Sequence, residues 1–334
     1  MLRVVFTSQD LARLRVAREP DALWEITNSV QTLQRRDGRA AFGPWRHAVR
    51  PRLGPESRLL ASLLPPCGYS PDFLTPGPGT EESPTLDAAV DTMLSTPRRT
   101  LAADLERFAA DHGRVPRWAD ALADPTARSA SATEPLRRLG GAVRAYYETA
   151  VAPYWSRVHA HVDADRNLRL HALLDGGTEG MLASLGPHFR WQPPVLEVAY
   201  PVDQELRLEG RGLLLQPSYF CWPAPVSLAD PSRPPVLVYP VSHERGEAAS
   251  QAGDGLGELL GRTRAALLRA TGCGSSTTEL ARLLDVTGPA VSQHTAVLRE
   301  NGLLVTVRKG GRSFHSVTAQ GRALLQAAQH GSLQ

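Results

Sequence analysis

Lysine is nearly absent from this chain: Lys309 stands alone, and the other 36 basic residues are arginine. Alongside abundant alanine, proline and glycine, this reads as a GC-rich coding background, so arginine abundance by itself argues for no function. Net charge is also small, +3 over 334 residues. A polyanionic partner must therefore be argued from where charge sits. Cysteine is scarce. Cys67, Cys221 and Cys273 are far apart and form no C-x-x-C pair, which excludes a disulfide framework and points to a reducing compartment, the cytoplasm. No apolar run approaches bilayer length, and Met1 to Phe6 lacks a signal-peptide core, so no membrane partner is expected. A nucleophile elbow, a phosphate loop and a metalloprotease motif are missing, and Gly210-x-Gly212 is too short for a dinucleotide fingerprint. No cofactor is expected, and nothing supports an enzyme. Internal repeats are absent.

The length predicts two domains, at most three. Leu2 to Phe6 reads as a short strand, with Ser8 capping a helix after it. Helical patterns follow over Pro20–Gln34, Trp45–Arg50, Leu59–Leu64, Pro84–Leu94 and Pro97–Ala110, with a Pro/Gly-rich loop over 65–84. The longest pattern runs from Glu134 to Leu174, is interrupted at Pro153, and carries a core stripe of Val143, Tyr147, Val151, Trp155 and Val158. From Val195 the period changes. Segments near 195–200, 204–208, 212–216 and 236–241 read as strands of a small antiparallel sheet, with Glu209–Gly212 as a hairpin turn. The stretch Ser242–Gly255 is small, polar and charged, the best domain boundary in the chain. Leu256 to Leu268 then reads as one amphipathic helix.

Ser276 to Glu300 has the densest local signals. Ser276 with Glu279 three residues on makes a capping-box start, and Leu280, Leu283 and Leu284 follow at helical spacing. Thr287 can cap a second helix with Pro289 in its first turn, where a missing N–H costs nothing. Val291, Thr295 and Leu298 then face inward, Ser292 and Gln293 outward, and His294 lies at the boundary. Leu303–Val307 and Arg312–Val317 read as a hairpin with Arg308, Lys309 and Arg312 around its tip, and a closing helix bears Leu324 and Leu325. The expected class is α+β, mainly helical. It comprises an N-terminal helical region with a small antiparallel sheet (1–245), a linker (246–255) and a C-terminal winged helix-turn-helix (256–330).

The terminal region resembles the winged-helix regulators of the ArsR type, and the chain order resembles long actinobacterial members of that group. The residues carrying this are Thr278-Glu279-Leu280-Ala281, Val291-Ser292-Gln293-His294, Val297-Leu298, Gly302-Leu303-Leu304 and Gly310-Gly311-Arg312, followed by Thr318-x-x-Gly321. The resemblance implies a DNA-binding transcriptional regulator, a repressor by expectation. It also implies a homodimer built through the first and last helices, and a roughly palindromic operator on double-stranded DNA. In that reading the helix from Thr287 enters the major groove. Gln293 can pair bidentately with adenine, Ser292 adds one hydrogen bond, and His294 reaches a base or a phosphate. Ser276 and Thr277 offer a helix N-terminus to a phosphate, and Arg308, Lys309 and Arg312 meet the backbone.

The metal-responsive ligand sets of that family are absent. No cysteine pair lies on Glu279–Leu284, and no carboxylate lies on Ala319–His330, so no metal site is expected. His159/Asp163 and His161/Asp165 share helix faces pairwise, but the pairs point about 160° apart, and a solvated face is the expectation. An effector other than a metal is expected upstream, with Trp24, Tyr147, Trp155 and Trp222 as candidate pocket residues. The alternative is a constitutive DNA binder whose N-terminal region is a dimerisation or protein-interaction module. A third reading is an enzyme fused to a DNA reader.

Overall fold

The computed structural model describes residues 1–77, 85–123, 129–243, 255–271, 275–309 and 311–330. The chain divides into two compact units, Met1–Ser242 and His243–Gln334. Most of the expected linker, residues 246–254, lies outside the described residues, as does Cys273. The class is α+β and mainly helical.

In the N-terminal unit β1 (Leu2–Val5) alternates buried Leu2 and Val4 with outward Arg3, as a half-buried strand must. Helix α1 (Ser8–Ala12) is capped by Thr7 rather than Ser8. The Thr7 hydroxyl accepts the Asp10 N–H at 3.2 Å and the Asp10 carboxylate accepts the Thr7 N–H at 2.8 Å. After β2 (Arg15–Val16), α2 (Ala22–Gln34) starts at Asp21, whose side chain accepts two first-turn N–H groups. Helices α3 (Arg39–Val49), α4 (Ser57–Leu63), α5 (Leu86–Leu94), α6 (Arg98–His112), α7 (Asp120–Ala123) and α8 (Ser129–Tyr146) follow. The break expected at Pro153 is a π turn over Tyr147–Val151 and a 3-10 turn over Ala152–Tyr154. Helix α9 (Trp155–Ala183) then kinks at Gly176 and Gly177. Ile26, Val30, Phe42, Trp45, Leu63, Met93, Leu105, Val143, Val151 and Val158 lie in one helical core. Of the expected stripe, Tyr147 and Trp155 are only half-buried at its margin.

The sheet expectation needs correction: there are two four-stranded sheets, and both are mixed. In the first, β3 (Phe189–Gln192), β4 (Val195–Val198), β1 and β5 (Gln204–Arg207) lie in that order, with β1 antiparallel to β4 and parallel to β5. In the second the order is β2, β6 (Leu214–Ser218), β8 (Val236–Pro240), β7 (Val226–Ser227), with β6 parallel to both β2 and β8. Glu209–Gly212 is consequently not a hairpin turn. It carries the chain from one sheet to the other, with positive φ at Glu209, Gly210 and Gly212. A second core fills the space among Leu2, Val4, Leu182, Leu196, Leu215, Leu237 and Tyr239.

In the C-terminal unit the helix expected over 256–268 is two helices. α10 (Gly255–Leu260) and α11 (Arg262–Ala270) are separated by Gly261 at φ +82°, which favours glycine. Next come β9 (Ser275–Ser276), α12 (Thr277–Leu283), α13 (Gly288–Glu300), β10 (Leu304–Lys309), β11 (Arg312–Val317) and α14 (Ala319–His330). The sheet order is β10-β11-β9, antiparallel throughout. Leu267, Leu268, Leu280, Val291, Leu298, Leu304 and Val317 form the core of the unit. Gly321 allows α14 to close over it, because a Cβ there would lie 2.4 Å from the Leu303 carbonyl oxygen.

Candidate nucleic-acid interface

The turn between α12 and α13 is made by Asp285 at φ +51°, a conformation that short polar side chains tolerate. The Val286 N–H returns to the Ala281 carbonyl at 3.0 Å. Thr287 then caps α13, its hydroxyl accepting the Ala290 N–H at 3.4 Å, and Pro289 occupies the first turn. Val291, Thr295 and Leu298 are buried, which turns Pro289, Ser292, Gln293 and Arg299 to solvent. From Gly288 to Arg299 this exposed surface carries no carboxylate; Glu300 is the first. At ~1.5 Å per residue the helix is ~20 Å long, and its ~10–12 Å width matches a major groove of ~12 Å.

His294 is half-buried and does not join Ser292 and Gln293. It lines an open depression of about 300 Å³ with residues 259–264, Arg262 and Arg264 among them.

Ser276 is corrected by its surroundings. It is 7% exposed, its hydroxyl accepts the Glu279 N–H at 3.3 Å, and its own N–H donates to the Glu279 carboxylate at 2.7 Å. The capping box satisfies itself, and its carboxylate opposes an anion at that helix end. Ser276 is a cap and not a phosphate contact. The Thr277 hydroxyl is also engaged, 2.9 Å from His315 Nε2, while His315 Nδ1 lies 2.9 Å from the Thr306 hydroxyl. Burial, and secondarily Arg299, holds the His315 pKa below its ordinary value. A neutral ring donating at one nitrogen and accepting at the other ties α12 to both hairpin strands. No local pattern in the sequence marks His315 for this role.

Arg308 and Arg312 are exposed at the hairpin end, where Lys309 pairs with Arg312. The Lys309 side chain and Gly310 lie outside the described residues.

The four aromatic candidates of the N-terminal unit do not converge. Tyr147 and Trp155 meet edge to face at 5.7 Å, and Trp222 packs on Phe42 at 5.8 Å. Trp24 alone lines a cavity, one of about 80 Å³. The first three sit at the edge of the helical core, where they close packing between helices. Among the described residues no cluster of three or more His, Cys, Asp or Glu is arranged to hold a metal ion. No helix among them is long and apolar enough to cross a membrane.

The solvated face expected over 159–165 is partly overturned. Asp165 is 6% exposed, pairs with Arg169 at 2.8 Å, and accepts the Tyr239 hydroxyl at 2.5 Å. Arg169 reaches on to the Ser184 carbonyl and hydroxyl. His159 pairs with Glu19 at 3.2 Å. Helical arithmetic on α9 could not show that Tyr239, on β8, covers one of its faces.

No protein family, no curated protein and no solved structure matches this chain.

Proposed function

We propose that the chain is a DNA-binding transcriptional regulator whose C-terminal unit acts as a winged helix on a palindromic operator. The carrying observation is the surface of α13. Its exposed positions are small and neutral until Arg299, its buried positions are fully packed, and a hairpin with arginines at its end follows at once. Neutral hydrogen-bonding side chains flanked by cations are what groove reading requires. Gln293 offers a donor and an acceptor together to an adenine edge and Ser292 one bond, while Arg308, Lys309 and Arg312 neutralise phosphate. The active species is a homodimer whose two α13 helices address half-sites ~34–36 Å apart. The N-terminal unit senses a non-metal effector.

Fluorescence anisotropy with DNA from the protein's own upstream region tests this. Binding should weaken steeply with salt. Replacing Arg308 and Arg312 by alanine should weaken binding to every sequence about equally and flatten the slope of log affinity against log salt by ~0.9 per lost phosphate contact. A slope unchanged by both replacements contradicts the assignment of the hairpin.

A further inference from the structure

The cavity beside Trp24 has features that general packing does not account for. One wall is a single face of α2, with Trp24, Thr27, Asn28 and Gln31 at helical spacing. Tyr69 and Tyr200 stand among the other lining residues. The volume, about 80 Å³, is that of two or three waters at ~30 Å³ each, or of the head of a small organic molecule.

Two observations define what fits. Trp24 is 7% exposed, and its indole N–H has no hydrogen-bond partner. A buried donor left unpaired is costly, so an acceptor brought to it is rewarded. The neighbouring amide donors are already committed: Gln31 donates to the Ser70 hydroxyl at 2.8 Å and Asn28 to the Ser218 hydroxyl at 3.1 Å. The second observation is charge. No Lys, Arg or His is in the lining, while Asp72 is, which disfavours an anion. The Asp72 carboxylate already accepts the backbone N–H groups of Ala229 at 2.9 Å and Asp230 at 2.7 Å, so it does not call for a cation. A neutral ligand remains, and three aromatic side chains offer flat faces to it.

We propose that this cavity binds a small uncharged molecule that presents a carbonyl-type oxygen to the Trp24 indole N–H. The inference gives the effector reading above its location and its ligand class, and rests on that reading only for its regulatory meaning.

The test is an indole-region ¹H–¹⁵N titration of the full chain without DNA, so its outcome is independent of operator binding. The Trp24 cross-peak is identified by its loss in Trp24→Phe. The probe is 2-pyrrolidinone, with pyrrolidinium and acetate as charged comparators of similar or smaller size. The Trp24 peak should move downfield and saturate on the order of millimolar probe, as for a ligand of about six non-hydrogen atoms. The peaks of the other five tryptophans should stay in place. Thr27→Leu, which fills the cavity, should abolish the movement while those five peaks remain. A Trp24 peak that is static, that responds equally to acetate or pyrrolidinium, or that still moves in Thr27→Leu overturns the proposal.

Discussion

Replacing Glu25 by glutamine should abolish a loss of stability that the native chain suffers between pH 4.5 and about 7. Glu25 is fully buried in the first turn of α2. Its carboxylate accepts the N–H groups of Tyr219 at 2.8 Å and Phe220 at 3.0 Å, and the Ser218 hydroxyl at 3.1 Å. Burial pushes its pKa from 4.5 up to about 7, against these bonds, which favour the charged form. The folded state therefore holds a proton that the unfolded state has released. The stabilisation is fully present below pH 4.5 and is lost as pH rises through about 7. At ~1.4 kcal/mol per pH unit, that loss is on the order of 3 kcal/mol. Glutamine cannot titrate, and its single acceptor oxygen leaves one buried N–H facing an amide NH₂, a cost of about 1–3 kcal/mol. Glu25→Gln should thus be the less stable protein near pH 5, with the gap to wild type closing as pH rises to 8. All six tryptophans lie within Met1–Ser242, so urea unfolding followed by tryptophan fluorescence reports on the unit that holds Glu25. Asp104, pushed up to about 6 by burial and then by Asp72, slopes the same way, and the difference between wild type and variant removes its contribution. A gap that stays constant over this range, or widens with pH, would show that the two N–H donors and the helix terminus outweigh burial, and would refute the argument.

Tyr239→Phe should destabilise the N-terminal unit by about 1.5–3 kcal/mol, because its hydroxyl donates to a buried carboxylate; the same unfolding assay measures it. Ser276→Ala should lower the melting temperature of the C-terminal unit through a cap loss of about 1 kcal/mol. It should leave the salt slope of DNA binding unchanged, and a flatter slope would reinstate Ser276 as a phosphate contact.

The C-terminal unit was the more legible part of the sequence because its signals are local. Ser276 and Glu279 satisfy each other within one turn, Thr287 caps α13 within three residues, and Val291, Thr295 and Leu298 fix its buried face by period alone. What failed there was also local: Gly261 adopts positive φ and splits a helix whose apolar period continues across it. The N-terminal unit was legible only as helices. Strand β1 pairs with residues 195–198 and 204–207, and β2 and β7 are two residues long. Parallel neighbours so distant in sequence leave no turn signal between them. The cavity escaped for the same reason. Trp24 was singled out, but its partners come from α2, the 68–75 segment, Tyr200 and residues 226–229, and their meeting depends on the whole fold. Tyr147, Trp155 and Trp222 have the same residue chemistry and serve packing instead.

The central claim is that α13 reads DNA sequence through Gln293 and Ser292. The direct measurement is affinity for the operator and for unrelated DNA of equal length at one salt concentration, with wild type and the Ser292→Ala, Gln293→Ala double variant. The account predicts that the variant keeps its binding to unrelated DNA and loses operator preference by about 1–3 kcal/mol for each good base contact. An operator preference that survives the double replacement intact would contradict it.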